Sequence, residues 1–319
     1  MNAKYKVLVT ARSFGTADDR ALRLLEDGGC EVKKLTAGAE SVEEQLAREL
    51  PEADAVIAGL EVYDKALIDA AKGRLKVISR YGVGYDKVDV DAAKAAGVTV
   101  TITPGANGDA VADLACALML DCARNVSVMN ASIKGRAQAR PQGLELWEKT
   151  LGVVGAGRIG KGVARRLKGF NMKILCYDQF QDAAFAEEVG AEYVDFETLV
   201  KESDFITVHS PLTPETENMF SEKEFRMMKK DAIIVNTARG GIIDEEALAR
   251  ALEAGEIRAA GLDATVAEPP YDSPLMKLDN CILTPHAGGA TREAIAKMSN
   301  MAAENALAVL TTGSCKYAV

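Results

Sequence analysis

Between residues 151 and 168 the chain reads Leu151-Gly152-Val153-Val154, then Gly155-Ala156-Gly157-Arg158-Ile159-Gly160, then a helical stretch from Lys161 to Lys168. A strand, a glycine-spaced turn and a helix in that order constrain the fold more than any other segment. Gly155 permits the tight turn, Gly157 lets backbone approach a pyrophosphate, and Gly160 lets the helix pack close to its strand. The helix N-terminus then offers unpaired amides and a partial positive charge to phosphates. Spacing alone is a weak signal in a chain with 27 glycines. The flanking strand and helix give it weight.

Short β-rich runs alternate with helical patterns on both sides of this loop. Upstream they are Val7–Val9, Val32–Leu35, Ala55–Ile57, Val77–Ser79 and Val98–Val100. Downstream, after Leu151–Val154, come Lys173–Tyr177, Phe205–His209, Ile233–Asn236, Ala259–Leu262 and Ile282–Thr284. Alternation of this kind predicts parallel sheets covered on both faces, and six downstream strands suit a dinucleotide-binding sheet. Ser41-Val42-Glu43-Glu44 fits a capping box, and Asp244 caps a helix through Leu252 with Ile243 and Leu248 as a staple. Asn107–Val128 reads as one extended helix, followed by a polar excursion over Lys134–Gln142. A last Ala-rich helix runs from Thr291 to near Leu310 and is expected to return to the first domain. With 319 residues the chain suits two α/β domains.

The formal charge is −9, from 38 basic and 47 acidic residues, and no basic run stands out, so nucleic acid is not an expected partner. Six cysteines, Cys30, Cys116, Cys122, Cys176, Cys281 and Cys315, are scattered without a CxxC pair and read as reduced thiols of a cytoplasmic protein. Met1-Asn2-Ala3-Lys4-Tyr5-Lys6 leads directly into Val7–Val9, without a signal peptide, and no apolar run reaches membrane-spanning length. Only two histidines occur, His209 and His286, so a protein-bound catalytic metal is not expected.

Chemistry gathers at the predicted carboxyl ends of strands, where ligands bind in such sheets. Asp178 ends the second strand of the nucleotide-binding series; a carboxylate there accepts from both ribose hydroxyls and repels a 2′-phosphate, and the next residues, Gln179 and Phe180, offer no cation. NAD is therefore expected over NADP. Arg239 follows Ile233–Asn236 with Gly240 and Gly241 beside it; in isolation it is a surface loop arginine, but at a strand tip its guanidinium can grip a carboxylate in bidentate fashion. His286, in Thr284-Pro285-His286-Ala287-Gly288-Gly289, can move a proton in either direction of a keto/hydroxy interconversion. Glu268 precedes Pro269-Pro270, and a carboxylate bonded to the far imidazole nitrogen favours a protonated ring. Asp263 ends another strand, either near a nicotinamide or holding the site's geometry, whereas His209 suits the adenosine side.

Taken together the motifs resemble the D-isomer-specific 2-hydroxyacid dehydrogenase family over essentially the whole chain, closest to short members of phosphoglycerate dehydrogenase type. They are Arg80-Tyr81-Gly82-Val83-Gly84-Tyr85-Asp86, Thr103-Pro104-Gly105-Ala106-Asn107, the 155–160 loop, Val208-His209-Ser210-Pro211-Leu212-Thr213, Asn236–Gly241, Gly261–Asp263, Glu268-Pro269 and Thr284-Pro285-His286. The resemblance implies an α/β fold in which a Rossmann NAD-binding domain, 104–289, is inserted into a flavodoxin-like substrate-binding domain, 1–103 plus 290–319. It implies a catalytic triad of Arg239, Glu268 and His286. Cofactor contacts are implied at Gly155, Gly157, Arg158, Ile159, Gly160, Asp178, His209, Pro211, Thr216, Thr237, Ala238, Asp263 and Gly288. Substrate contacts are implied at Tyr81, Gly82, Val83, Gly84, Asn107 and Arg239, in a cleft that closes between the domains, and family members are typically homodimers.

Two departures from the phosphoglycerate enzymes matter. The loop after the third strand reads Ala58-Gly59-Leu60-Glu61, where those enzymes carry an arginine for the substrate phosphate, unless Arg80, Arg136 or Arg140 substitutes. The chain also ends at Val319, so serine feedback through a C-terminal regulatory domain is not expected. The leading expectation is NAD-dependent interconversion of a small 2-keto acid and its D-2-hydroxy acid. One alternative is 3-phosphoglycerate oxidation in serine synthesis; another, of a different class, is a non-catalytic NAD(H)-sensing corepressor.

Overall fold

The computed structural model of the protein describes residues 4–319. Met1–Ala3, the start of the segment expected to carry no leader, lie outside the described residues. Two compact units form, one from residues up to Asn107 together with Ala290–Val319, the other from Gly108–Gly289.

In the first unit, β1 (Tyr5–Val9), β2 (Cys30–Lys34), β3 (Ala55–Ala58), β4 (Val77–Arg80) and β5 (Thr99–Thr101) make one sheet in the order β2-β1-β3-β4-β5. All its pairings are parallel. β3 and β4 are buried along their whole length, the reason they read as unbroken runs rather than alternating ones. Within them side chains still part by the period of two: Val7, Val9, Ile57 and Val77 pack with Ala302, Ala303 and Ala306, whereas Leu8, Val56 and Ile78 pack with Val42 and Leu46. The helix Val42–Glu49 begins with the expected capping box, Ser41 Oγ accepting from Glu44 N–H and Glu44 Oε2 from Ser41 N–H, a contribution of about 1 kcal/mol. The last helix, Arg292–Thr312, does pack within this unit: Ser79 Oγ donates to Ala302 O, and Tyr5 OH donates to Leu310 O, both at 2.9 Å. Past it, Ala318 bridges Thr101 in antiparallel fashion and covers the β5 edge.

The second unit's strands are β6 (Thr150–Val154), β7 (Lys173–Tyr177), β8 (Ala191–Tyr193), β9 (Phe205–Val208), β10 (Ile233–Asn236), β11 (Ala259–Leu262) and β12 (Cys281–Leu283). They lie in the order β12-β11-β10-β9-β6-β7-β8, all parallel, so the winding reverses between β6 and β9. This is a doubly wound Rossmann sheet, with seven strands where six were expected. The addition is β8, a three-residue edge strand.

The single helix expected over Asn107–Val128 is two. Gly108–Arg124 ends at Asn125, whose φ of 53° is left-handed, and Val126–Lys134 starts anew. Asparagine tolerates that region better than most residues, so the chain turns without a glycine or proline to announce it. Residues 104–107, expected with the nucleotide-binding part, fall with the first unit. Thr103 N–H donates to Gly82 O and Ala106 N–H to Thr103 O, which ties this turn to the tip of β4.

Among the described residues no helix is long and apolar enough to cross a membrane. All six cysteines are free thiols, and burial pushes Cys176 and Cys281 up to about 12.

Candidate active site

Asp178, His209, Arg239, Asp263 and His286 lie just past the carboxyl ends of β7, β9, β10, β11 and β12. At the tip of β6, Gly155 has a φ of 90°, and a Cβ there would sit 2.8 Å from the backbone of His209 and Ser210. Gly160 is tighter still, its Cβ position only 2.2 Å from Gly155 O. Gly157 differs: no atom lies within 4 Å of its Cβ position, and it stands at the N-cap of the helix Arg158–Leu167 without a side-chain capping bond. That combination, open space over a helix start that carries no acidic residue in its first turn, fits a pyrophosphate. Asp178 follows β7, one oxygen accepting from Phe180 N–H at 2.8 Å, which fixes the carboxylate beside the strand end.

His209 follows β9 next to the β6 tip. Thr207 Oγ1 lies 2.8 Å from its Nε2 and Thr237 Oγ1 3.4 Å from its Nδ1. Burial pushes the imidazole down to about 3, so it stays neutral at physiological pH and is mismatched to proton transfer there. An unfolded histidine titrates near ~6.5. A depressed folded value therefore means that acid favours the unfolded state, with stability falling from about pH 6.5 towards pH 3. His209→Gln is expected to flatten that part of the stability profile, measured by urea unfolding at several pH values; an unchanged slope would show that His209 is not held neutral. In the same turn Thr216 Oγ1 donates to Pro211 O at 2.6 Å and accepts from Thr213 N–H.

At the tip of β10 the organising residue is one the sequence did not single out. Asn236 is buried; its Oδ1 accepts from Ala238 N–H at 2.9 Å and its Nδ2 donates to Arg239 O at 2.8 Å. Arg239 itself is half-buried, with Nη1 donating to Ala238 O at 2.7 Å. Gly240 is pressed against the next loop: a Cβ would lie 2.2 Å from the carbonyl of Thr265. The turn carrying Arg239 and the loop leading to Glu268 therefore meet backbone to backbone.

That second loop is held at both ends by Glu245, at the start of the helix Glu245–Ala254. Glu245 Oε1 accepts from Val266 N–H at 2.7 Å and Oε2 from Ser273 Oγ at 3.0 Å, bracketing Glu268-Pro269-Pro270. The helix is capped by Asp244 as expected, with Ile243 and Leu248 buried. The Glu268–Pro269 peptide is cis.

Asp263 follows β11 and is buried. Its carboxylate accepts from Thr284 Oγ1 at 2.6 Å, Ala287 N–H at 2.7 Å and Gly288 N–H at 2.8 Å, and its backbone carbonyl accepts from His286 N–H. Four bonds thus fix the loop after β12 in which His286 takes a left-handed φ of 51°. Held this way, His286 Nδ1 meets Glu268 Oε1 at 2.8 Å, with the two side chains 30% and 25% exposed. Among the described residues no group of three or more His, Cys, Asp and Glu is placed to hold a metal ion.

In the first unit Tyr81–Gly84 follow β4. Arg80 Nε donates to Gly84 O, Gly82 has a φ of 146°, and Tyr81 OH donates to Ile295 O. Asn107 closes the segment that belongs to this unit.

Residues 116–288 match the family model described as D-isomer specific 2-hydroxyacid dehydrogenase, NAD binding domain. A glyoxylate reductase of Thermococcus litoralis is 45% identical over 273 residues, 82% of each chain. A D-3-phosphoglycerate dehydrogenase of Methanocaldococcus jannaschii is 44% identical over 310 residues, 96% of this chain but 57% of its own length. Among solved structures, the TT0316 protein of Thermus thermophilus superposes with a TM-score of 0.88 at 38% identity, covering 98% of this chain and 99% of the other. With the dinucleotide loop, the strand-tip acid and the histidine–glutamate pair in one sheet, the chain belongs to the D-isomer specific 2-hydroxyacid dehydrogenase family and is an NAD-dependent oxidoreductase of 2-keto and 2-hydroxy acids.

Proposed function

We propose that the chain reduces a small, unphosphorylated 2-keto acid, of the size of glyoxylate or hydroxypyruvate, to the D-2-hydroxy acid. The observation that carries this reading is the 2.8 Å bond between His286 Nδ1 and Glu268 Oε1, which engages one ring nitrogen and leaves Nε2 to meet the substrate oxygen. Amides at Gly157–Ile159 would hold the pyrophosphate and Asp178 the ribose, with Thr237, Ala238 and Gly288 towards the nicotinamide end. When bound, that cofactor supplies or accepts the hydride. As the substrate carbonyl becomes an alkoxide, His286 donates a proton to its oxygen; in the reverse direction His286 takes the hydroxyl proton. Glu268 orients the imidazole through its Nδ1, and Arg239 grips the substrate carboxylate; Tyr81–Gly84 and Asn107, in the first unit, are the further substrate contacts of this proposal.

The unphosphorylated substrate is supported by Ala58-Gly59-Leu60-Glu61, which puts a carboxylate where a phosphate would need a cation. Arg80 is buried and bonded to the carbonyls of Ala58 and Gly84, and Arg136 and Arg140 are exposed on the excursion after the Val126–Lys134 helix. Similarity to the Methanocaldococcus enzyme over 96% of the chain keeps 3-phosphoglycerate as the second reading. A panel of glyoxylate, hydroxypyruvate, pyruvate and phosphohydroxypyruvate with NADH and NADPH decides. The expected result is turnover of the first two with NADH; turnover of the phosphate ester alone would favour the second reading, and NADH binding without any turnover a sensor. In the same assay Asp178→Ala is expected to cut the preference for NADH by at least about tenfold, ~1.4 kcal/mol. An unmoved ratio would relocate the ribose contact.

A homodimer in the cytoplasm completes the proposal. The helix Val126–Lys134 has no buried residue, and Val126 and Ile133 on it are exposed, an apolar surface suited to a second copy. Light scattering on the eluting protein tests this; a monomer at micromolar concentration would refute it.

A further inference from the structure

Glu245 opens the helix Glu245–Ala254, a place where an acidic side chain ordinarily serves its own helix by facing the positive end. Asp244 already caps this helix, its Oδ1 accepting from Ala247 N–H at 3.0 Å. Glu245 turns instead to a distant part of the chain. Its two oxygens accept from Val266 N–H at 2.7 Å and from Ser273 Oγ at 3.0 Å, 21 and 28 residues away in sequence. Ionised oxygens accept such bonds more strongly than neutral ones.

The segment between those two attachments carries Glu268. Thr265 at its start is buried, with Oγ1 donating to Ala267 O at 2.8 Å, but Val266 to Pro269 are exposed without a break. Apolar burial therefore does little to place Glu268. Pro269 and Pro270 stiffen the segment, each ring fixing one backbone angle, and Ser273 N–H donates back to Pro270 O at 3.0 Å. A stiff segment moves as a unit, so its position is decided where it is attached. One carboxylate holds it on both sides.

We propose that Glu245 is a positioning residue for the reaction: by holding Val266 and Ser273 it sets Glu268 against His286 Nδ1, at 2.8 Å, and so fixes the imidazole for proton transfer. This rests on the roles given above to Glu268 and His286 and adds a residue that touches neither substrate nor cofactor. All of these groups belong to the second unit. A misplacement of about 1 Å caused by a change away from the chemistry can cost about 10²-fold in rate. The partner of one ring nitrogen decides which nitrogen carries the proton, so an imidazole that loses its Nδ1 partner loses its tautomer as well as its direction.

Glu245→Ala removes both attachments, whereas Glu245→Gln keeps the size, an acceptor for Val266 N–H and an amide that can donate to Ser273 Oγ. Each is made in the wild-type chain and in Glu268→Ala, and kcat and KM for glyoxylate are measured together with NADH affinity. The expected result for Glu245→Ala is a fall in kcat of about thirtyfold, with KM and NADH affinity within about threefold of wild type and kcat restored to within about fivefold by Glu245→Gln. In Glu268→Ala, the added loss of Glu245 should cost less than about twofold, because a residue that acts through another contributes nothing once that other is gone. A kcat for Glu245→Ala within about threefold of wild type, or an equal loss in both backgrounds, would overturn the role of Glu245. Should Glu245→Ala not fold, Ser273→Ala cuts one attachment and leaves the carboxylate in place. A fall in kcat of about fivefold that disappears in Glu268→Ala then supports the assignment, and no fall, or one that persists there, overturns it. Glyoxylate turnover by Glu268→Ala at the wild-type rate would instead overturn the reading of Glu268 itself, and this assignment with it.

Discussion

Replacing His286 is expected to lower kcat for glyoxylate reduction by about 10³-fold, within the 10²–10⁴ range typical of a lost general acid. NADH affinity is expected to stay within about threefold, because the dinucleotide loop belongs to β6 while His286 belongs to the loop after β12, at the far edge of the sheet. The choice of variant matters. His286 sits at a φ of 51°, which alanine adopts with strain and asparagine tolerates. His286→Asn therefore separates chemistry from backbone cost: it keeps the loop and cannot shuttle the proton. With burial holding His209 neutral, the chain has no second imidazole to take over. A kcat within tenfold of wild type in His286→Asn, by steady-state assay with saturating NADH, would remove His286 from the proton step.

The parallel sheets were legible because strands buried on both faces leave a continuous apolar trace. Phe205–Val208 and Ile233–Asn236, buried at every position, are the clearest cases. β8 was not legible: Ala191-Glu192-Tyr193 is three residues long at an edge, with Glu192 exposed, too short for any period to register. Neither was the break at Asn125, since an Ala-rich run with one asparagine reads as a continuing helix, and left-handed backbone is set by the surrounding packing rather than by that residue alone.

The candidate site divides in the same way. Arg239 and His286 could be found because each follows a recognisable strand, and Glu268 because it stands directly before a rigid Pro-Pro turn. Of the residues that hold them, Asp263 was singled out as a strand-end acid, near a nicotinamide or holding the site's geometry, whereas Glu245 was not. Glu245 reaches Val266 and Ser273, and Asp263 reaches Thr284, Ala287 and Gly288, across separations that only the folded sheet closes. A capping-region glutamate and a strand-end aspartate have many ordinary uses, and sequence alone does not choose among them. Gly240 is similar: its need for glycine comes from the Thr265 carbonyl in a different loop.

Arg239→Ala should reduce kcat/KM for glyoxylate by about 10²–10³-fold, chiefly by raising KM. Truncating one partner of a desolvated charge pair costs roughly 2–5 kcal/mol, which spans that range. The loss should fall on KM because a carboxylate grip acts on bound substrate and transition state alike, whereas an interaction confined to the transition state would appear in kcat. Arg239→Lys makes the test sharper. Lysine keeps the charge but not the planar fork, so it should recover no more than about tenfold of the loss. Full recovery with lysine would mean that charge alone matters at this position. An unchanged KM in Arg239→Ala would mean that the substrate carboxylate is held without help from the tip of β10. In either outcome Asn236, which bonds both Ala238 N–H and Arg239 O, keeps the turn in place, so a change in rate reports on the guanidinium rather than on a collapsed loop.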